Sequence, residues 1–318
     1  MYRNILVPVD GSPFSKEALL QGVRIAELSG AKLRTVRVRT TPAMVSSPDG
    51  LASGVEGFKT RARELADLYQ IANECRGSST AEVTASLLDG PVSDALEGYI
   101  ARHKIDLVVM RSNTRQGLAR AWFGSVADSL IRNTGVPVFI VGQPSLASAL
   151  QSGFRFRRIL VPLDGSLLAE QSLDAAVALA SLDGATVTLL RVVPRANDQT
   201  SELRSPLGPA SHAAVTEAQN YLDSLVSLLD EPNGRIHSKV LVADDVSRAI
   251  LQTAQSLEID VIAIATHGRG AIARAAVGSV AHRLMCESAI STVVVRPRTH
   301  VADAELVPIW AAEPSFAI

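Results

Sequence analysis

The chain has 318 residues, 47% of them hydrophobic and only 4% aromatic, and its formal net charge is −1. That length suits two domains better than one, and abundant Ala, Val and Leu with few aromatics suits helices packed on parallel strands. Near-neutrality removes the bulk electrostatic case for nucleic acid or an anionic membrane as a partner.

The first residues enter an apolar run at once, without a signal-peptide layout. No apolar run approaches the ~20 residues of a spanning helix. The two cysteines, Cys75 and Cys286, stand one in each half, which argues against a disulfide framework or a thiolate metal site. A soluble cytoplasmic protein is the expectation.

In chain order, Asn4–Val9 is apolar and bounded by Asp10-Gly11-Ser12, so it predicts a first strand. Ser12-Pro13 supplies an N-cap and a proline at the first helical position. That helix runs to about Leu28 and stops near Gly30. Leu33–Val38 predicts a second strand, and the Ser-, Pro- and Gly-rich residues 40–54 predict a loop. A helix follows at 55–74, with Leu65, Leu68 and Ile71 at helical spacing. Then come a strand (Glu82–Leu88), a helix opened by Gly90-Pro91, a strand (Asp106–Met110), a helix (120–133) and a strand (Val136–Val141).

The same order then returns. Residues 3–12 (Arg-Asn-Ile-Leu-Val-Pro-Val-Asp-Gly-Ser) recur at 157–166 as Arg-Arg-Ile-Leu-Val-Pro-Leu-Asp-Gly-Ser, with Asp164 standing 154 positions after Asp10. Gly124-Ser125-Val126-Ala127 recurs as Gly278-Ser279-Val280-Ala281 at the same offset. One offset held from end to end means duplication of a whole domain; short solenoid repeats have periods of roughly 20–50 residues. The second copy predicts strands near 158–163, 186–192, 236–242, 260–265 and 291–295, with helices near 167–182, 210–229, 246–257 and 277–287.

The expected fold class is therefore α/β: two tandem doubly wound domains, each an open five-stranded parallel sheet of order 3-2-1-4-5 with helices on both faces. The expected boundaries are 1–142 for the first domain, 143–156 for a linker, 157–297 for the second domain and 298–318 for a tail. The tail holds Trp310 and Phe316, and either disorder or packing of those aromatics on the body fits it.

In such a sheet, ligands bind beyond the carboxyl ends of the strands, where the winding reverses. If strands 1 and 4 are neighbours there, the second copy sets Asp164-Gly165-Ser166 opposite the loop Ala265–Ser279. One loop offers a carboxylate. The other offers glycine backbone, a helix N-terminus and the cations Arg269 and Arg274, a pairing suited to a nucleotide. The triplet is also an ordinary turn with Ser166 as a cap, and Ser279 reads as the cap of its helix. His267 reads as a hydrogen-bond donor to phosphate rather than a catalytic base, since its counterpart is Asn113 and no carboxylate is evidently placed to orient it. Arg111, Arg115 and Arg120 in the first copy fit either a different anion or a solvated basic edge.

These residues resemble the universal stress protein A family in a tandem form. The resemblance rests on Ile-Leu-Val-Pro-Val-Asp-Gly-Ser at 5–12, its copy at 159–166, Thr-His-Gly-Arg-Gly at 266–270 and the two Gly-Ser-Val-Ala segments, and it covers about residues 1–297. The family's ATP signature is Gly, two residues, Gly, nine residues, Gly, then Ser or Thr. In the second copy it falls on Ala265, Gly268, Gly278 and Ser279, so Ala265 departs from it. In the first copy it falls on Arg111, Thr114, Gly124 and Ser125, and both leading glycines are gone.

The resemblance implies adenine contacts at Val192 and Val38. It places Asp164 and Asp10 near the ribose or a nucleotide-bound Mg, and phosphate on Gly268, Gly278, Ser279 and Val280, with His267 and Arg269 beside them. ATP, with Mg held through Asp164, is the expected cofactor. The second domain is the expected site, and Asp10, Val38, Gly124 and Ser125 form a weaker one in the first. It also implies that the two domains pair within the chain through Val136–Val141 and Thr292–Val295, and a homodimer of whole chains is left open. No GxxxxGK[ST] loop, GxSxG elbow, Ser-Gly-Gly pyrophosphatase loop or HExxH motif appears. The expected function is a nucleotide-dependent regulator of the stress response. A slow ATPase or self-phosphorylating enzyme and a scaffold without nucleotide are the alternatives.

Overall fold

The structure, a computed structural model, describes residues 1–40, 50–77, 79–111, 124–142, 155–195, 209–229, 234–266 and 278–297. The chain divides into two units between residues 154 and 155. The predicted tail, most of the linker and the centre of the 265–279 loop lie outside the described residues.

In the first unit, β1 (Asn4–Pro8) leads through α1 (Pro13–Ser29) to β2 (Lys32–Arg39), and α2 (Gly50–Arg76) leads to β3 (Val83–Asp89). Then follow α3 (Val92–His103), β4 (Leu107–Met110), α4 (Ser125–Asn133) and β5 (Val138–Ile140). The strands are parallel in the order β3-β2-β1-β4-β5, as expected. In the second unit the strands are β6 (Arg158–Pro162), β7 (Thr186–Val193), β8 (Ile236–Val242), β9 (Val261–Ala265) and β10 (Ser291–Val295), in the equivalent order β8-β7-β6-β9-β10. Its helices are α5 (Leu167–Glu170), α6 (Ser172–Asp183), α7 (Pro209–Leu229), α8 (Val246–Ser256) and α9 (Ser279–Glu287).

The central strands are apolar because helices cover both faces. Leu107–Met110 and Val261–Ala265 are buried at every position. Helix α1 begins as its sequence predicts: Ser12 Oγ accepts from Ser15 N–H at 3.2 Å, with Pro13 next. It lies close on the sheet at Gly22, where a Cβ would stand 2.5 Å from Val7 Cγ2. The second copy has Ala176 there.

Three elements differ from the sequence reading. Helix α2 starts at Gly50, inside the predicted loop. The helix expected at 167–182 is interrupted at Gln171, where the buried Ser172 Oγ donates to the Ala169 carbonyl at 2.7 Å and competes with the backbone ladder. Phe156, the last residue of the predicted linker, is fully buried, and its N–H donates to Asp183.

A carboxylate fastens each sheet at its amino end. Asp106 accepts from Arg3 N–H (2.7 Å) and Asn4 N–H (3.0 Å), and its own N–H returns a bond to the Asn4 carbonyl. Asp260 repeats this on Arg157 and Arg158 N–H, at 2.8 and 2.9 Å. Asp260→Ala therefore leaves two backbone donors without their charged acceptor, a loss of about 2–3 kcal/mol. Urea unfolding of the full chain checks this, with Asp260→Asn, which keeps one acceptor, expected to lose less.

After α3 and α8 the chain turns through Lys104 (φ 49°) and Glu258 (φ 50°), non-glycine residues in the left-handed region at matched positions of the two copies. That conformation costs an L-residue about 1–2 kcal/mol. Glycine loses about 0.5–1 kcal/mol of chain entropy, so Lys104→Gly is expected to gain up to about 1 kcal/mol in the same unfolding measurement. A destabilised variant would contradict it.

Candidate functional site

Parallel pairing of β6 with β9, in the register Ile159 with Val261 and Leu160 with Ile262, ends both strands on the same edge of the sheet. The turn after β6 and the loop after β9 therefore leave side by side at the point where the winding reverses. β1 and β4 do the same in the first domain, with Ile5 opposite Leu107.

The turn after the first strand is built alike in both copies. Gly11 (φ 85°) and Gly165 (φ 78°) take left-handed conformations. A Cβ at Gly11 would also meet Arg37 Nη2 at 3.3 Å. Asp164 Oδ1 accepts from Ser166 N–H at 3.0 Å and Ser166 Oγ at 2.6 Å, and Ser166 Oγ in turn accepts from Ala169 N–H at 3.2 Å. Ser166 is thus the cap that its sequence predicts. Asp10 accepts from Ser12 N–H at 2.9 Å. Burial pulls the Asp10 carboxyl upward, but hydrogen bonds from Ser12 and Ser15 outweigh it and hold the group below the usual carboxylate range.

At the opposite wall, Ala265 is buried at the end of β9, and Thr266 follows it, buried too. The Gly278 N–H donates to the Thr266 carbonyl at 2.6 Å, so the two described ends of the loop meet. Gly278, not Ser279, is the N-cap of α9: its carbonyl accepts from His282 N–H, and Ser279 is the first helical residue. This corrects the expected capping role of Ser279, since a side chain inside the first turn no longer reaches back to the third-residue amide. It also spends the Gly278 amide inside the protein. The helix amides left to a ligand are those of Ser279, Val280 and Ala281, which precede the first intrahelical bond. Ser279 is exposed, as is its counterpart Ser125. Gly124 likewise caps α4. Val192 and Val38, both half-buried, lie at the carboxyl ends of β7 and β2. His267, Gly268 and Arg269 lie outside the described residues.

Sequence reasoning missed a polar cluster beside Asp164. Tyr221 OH donates to Glu170 Oε1 at 3.0 Å, and the Arg191 guanidinium stands 5.9 Å from the centre of the Tyr221 ring. Burial, then the Glu170 charge, pushes the Tyr221 hydroxyl far above its usual range, so it stays a donor. The available signal was Arg37 and Arg191, cations at the same offset in the second strand of each copy.

In the first domain the corresponding crevice is a cavity of about 300 Å³, lined by Val9, Asp10, Val36, Val38, Leu96, Met110, Arg111 and Gly124 among others. Arg111 stands where the second copy has Ala265. Its side chain is only 11% exposed, paired with Glu17 and stacked 4.7 Å from the Phe14 ring centre. Among the described residues no group of three or more His, Cys, Asp or Glu side chains could hold a metal unaided, and no helix is long and apolar enough to cross a membrane. Cys75 and Cys286 are free thiols.

Fold and site together define a class: a tandem of doubly wound domains, each ending its first and fourth strands side by side at the switch point of its sheet. The chain belongs to the universal stress protein family, which it matches over residues 1–142 and 155–296. It is 25% identical over 317 residues to universal stress protein Rv1996 of Mycobacterium tuberculosis, covering 92% of this chain and 94% of that one. With Rv2005c of the same organism it shares 27% identity over 301 residues, covering 92% and 96%. The crystal structure of a universal stress protein from Archaeoglobus fulgidus shares its fold, with a TM-score of 0.63 at 18% identity over 93% of this chain and 97% of that one.

Because the Asp10 carboxyl is held below its unfolded value, it stabilises the fold at pH above its unfolded value. That contribution is lost as pH falls through the lower folded value. An NMR titration of Asp10 is expected to give a midpoint below that of a free aspartate, moving upward in Ser12→Ala. A midpoint at or above the free value would contradict the hydrogen-bonded turn.

Proposed function

We propose that this protein binds ATP, mainly in its second domain, and acts as a nucleotide-dependent regulator in the cytoplasmic stress response. The observation that carries the reading is the contrast at one position. Ala265 leaves the end of β9 without a bulky side chain, beside Asp164 and the first turn of α9, where the first domain fills the same place with Arg111. In this reading the adenine lies against the end of β7 at Val192 and the ribose donates to the Asp164 carboxylate. The phosphates lie on the Ser279 and Val280 amides, with Gly268, His267 and Arg269 completing the loop. Gly278 contributes by lacking a side chain and by turning the chain into α9. Mg, brought by the nucleotide, would meet Asp164.

The reading concerns occupancy rather than turnover: ATP sets the conformation or the partner surface. A chain with two family domains holds both members of a domain pair within itself, and that intrachain pairing is part of the proposal.

Calorimetry of the full chain is expected to give one ATP per chain. Asp164→Ala should weaken it at least tenfold, as loss of charged hydrogen bonds worth about 1.5–3 kcal/mol implies. Asp10→Ala should change it less than twofold, and Ala265→Arg should abolish it. Unchanged affinity in Asp164→Ala, or two equal sites, would overturn the reading.

A further inference from the structure

The one-turn helix α5 carries the Asp164 turn of the second domain and has little packing of its own. Of its four residues only Ala169 is buried, and Leu167 is 78% exposed. The matching helix α1 of the first domain runs unbroken from Pro13 to Ser29, so its opening turn is continuous with a long buried stripe. In the second domain the break at Gln171 interrupts that continuity, where Ser172 Oγ takes the Ala169 carbonyl. Polar contacts therefore weigh heavily in where α5 sits.

Those contacts form one chain. Asp164 Oδ1 accepts from Ser166 N–H and Oγ, and Ser166 Oγ accepts from Ala169 N–H. Glu170 N–H closes the turn on the Ser166 carbonyl at 3.2 Å. At the other end the Glu170 carboxylate accepts from Tyr221 OH at 3.0 Å, and Tyr221 stands in the middle of α7, which packs on β7 and β8. A hydrogen bond to a charged acceptor is the stronger kind. Burial first, then Glu170 and more weakly Asp164, raise the Tyr221 hydroxyl above its usual range, which puts the three groups in one neighbourhood and keeps the hydroxyl a donor. The first copy has Lys16 and Asp67 at the places of Glu170 and Tyr221. Lys16 pairs instead with Glu74 at 3.7 Å, both about half exposed, where an ion pair is worth little. Asp67 is exposed.

We propose that Tyr221 is a positioning residue for the nucleotide site of the second domain: through Glu170 it holds α5, and with it the Asp164 carboxylate, in the orientation that meets a ribose hydroxyl. The inference rests on the ATP reading of that domain. Tyr221 acts through the turn and not on the ligand. Removing its hydroxyl leaves α5 its backbone bonds but lets it spend time in other orientations. Apparent affinity then falls with the fraction of chains whose turn is competent to bind.

The test is a double-mutant cycle on the full chain, read by calorimetry of ATP and by amide exchange in NMR spectra. Tyr221→Phe keeps the ring and removes one oxygen, so it disturbs packing least. It is expected to weaken ATP by about three- to tenfold, and by less than about twofold when Asp164→Ala is already present. Glu170→Gln, which keeps an acceptor for Tyr221, is expected to lose less than Tyr221→Phe. Without nucleotide, the Ser166 and Ala169 amides are expected to exchange several-fold faster in Tyr221→Phe. The core amide of Ile262 in β9 and the Ser15 amide of the first domain should stay as they were. An equal loss of ATP affinity with and without Asp164 would overturn the proposal, because it would mark Tyr221 as a general support of the fold. So would Ser166 and Ala169 amides indifferent to Tyr221→Phe. A wild-type chain that binds no ATP, but whose Ser166 and Ala169 amides depend on Tyr221, would overturn the ATP reading and keep the hold on the turn. ATP binding that needs Asp164 and ignores Tyr221 would keep that reading and overturn this one.

Discussion

Backbone pairing of the first strand with the fourth is the constraint on which both domains depend. Parallel ladders force β1 and β4, and β6 and β9, to run and stop together. At the amino end, Asp106 and Asp260 each hold the neighbouring strand by two of its backbone amides. At the carboxyl end, the same pairing brings together loops that lie about a hundred residues apart in the chain. A tight turn on one side and a helix start on the other then face one crevice, and chemistry there follows from which side chains the loops carry.

One position separates the two crevices. The backbone is alike: both first turns pass through a left-handed glycine, and the helices that follow both fourth strands are capped by glycine. At the end of the fourth strand the second domain has a methyl group and the first has a guanidinium, with a carboxylate and an aromatic ring to hold it. A duplicated fold can thus keep its frame while its sites diverge, since a side chain at a strand's end is not needed by the ladder. Gly278 carries a related lesson. Its amide is used to close the loop on Thr266, so its place in the motif reflects chain direction and space rather than donation.

Much of this was legible in the residues alone. Apolar runs bounded by Asp-Gly-Ser, proline and glycine signals at helix ends and a single end-to-end offset determined two doubly wound domains, because periodicity and turn chemistry are local properties. The same comparison marked Ala265 and Arg111 as the place where the copies part. Tertiary structure alone decided what those residues meet. Glu17 and Phe14 lie nearly a hundred residues from Arg111 and reach it only once α1 packs beside β4. Tyr221 and Glu170 find each other only across two helices. Gly-Ser before an apolar run reads as a helix capped by Ser279, and only the backbone angles show that the helix begins one residue earlier. Local pattern determines which elements form, whereas contacts distant in sequence, set by the packing of one element on another, determine which charges are neutralised and which amides are already spent.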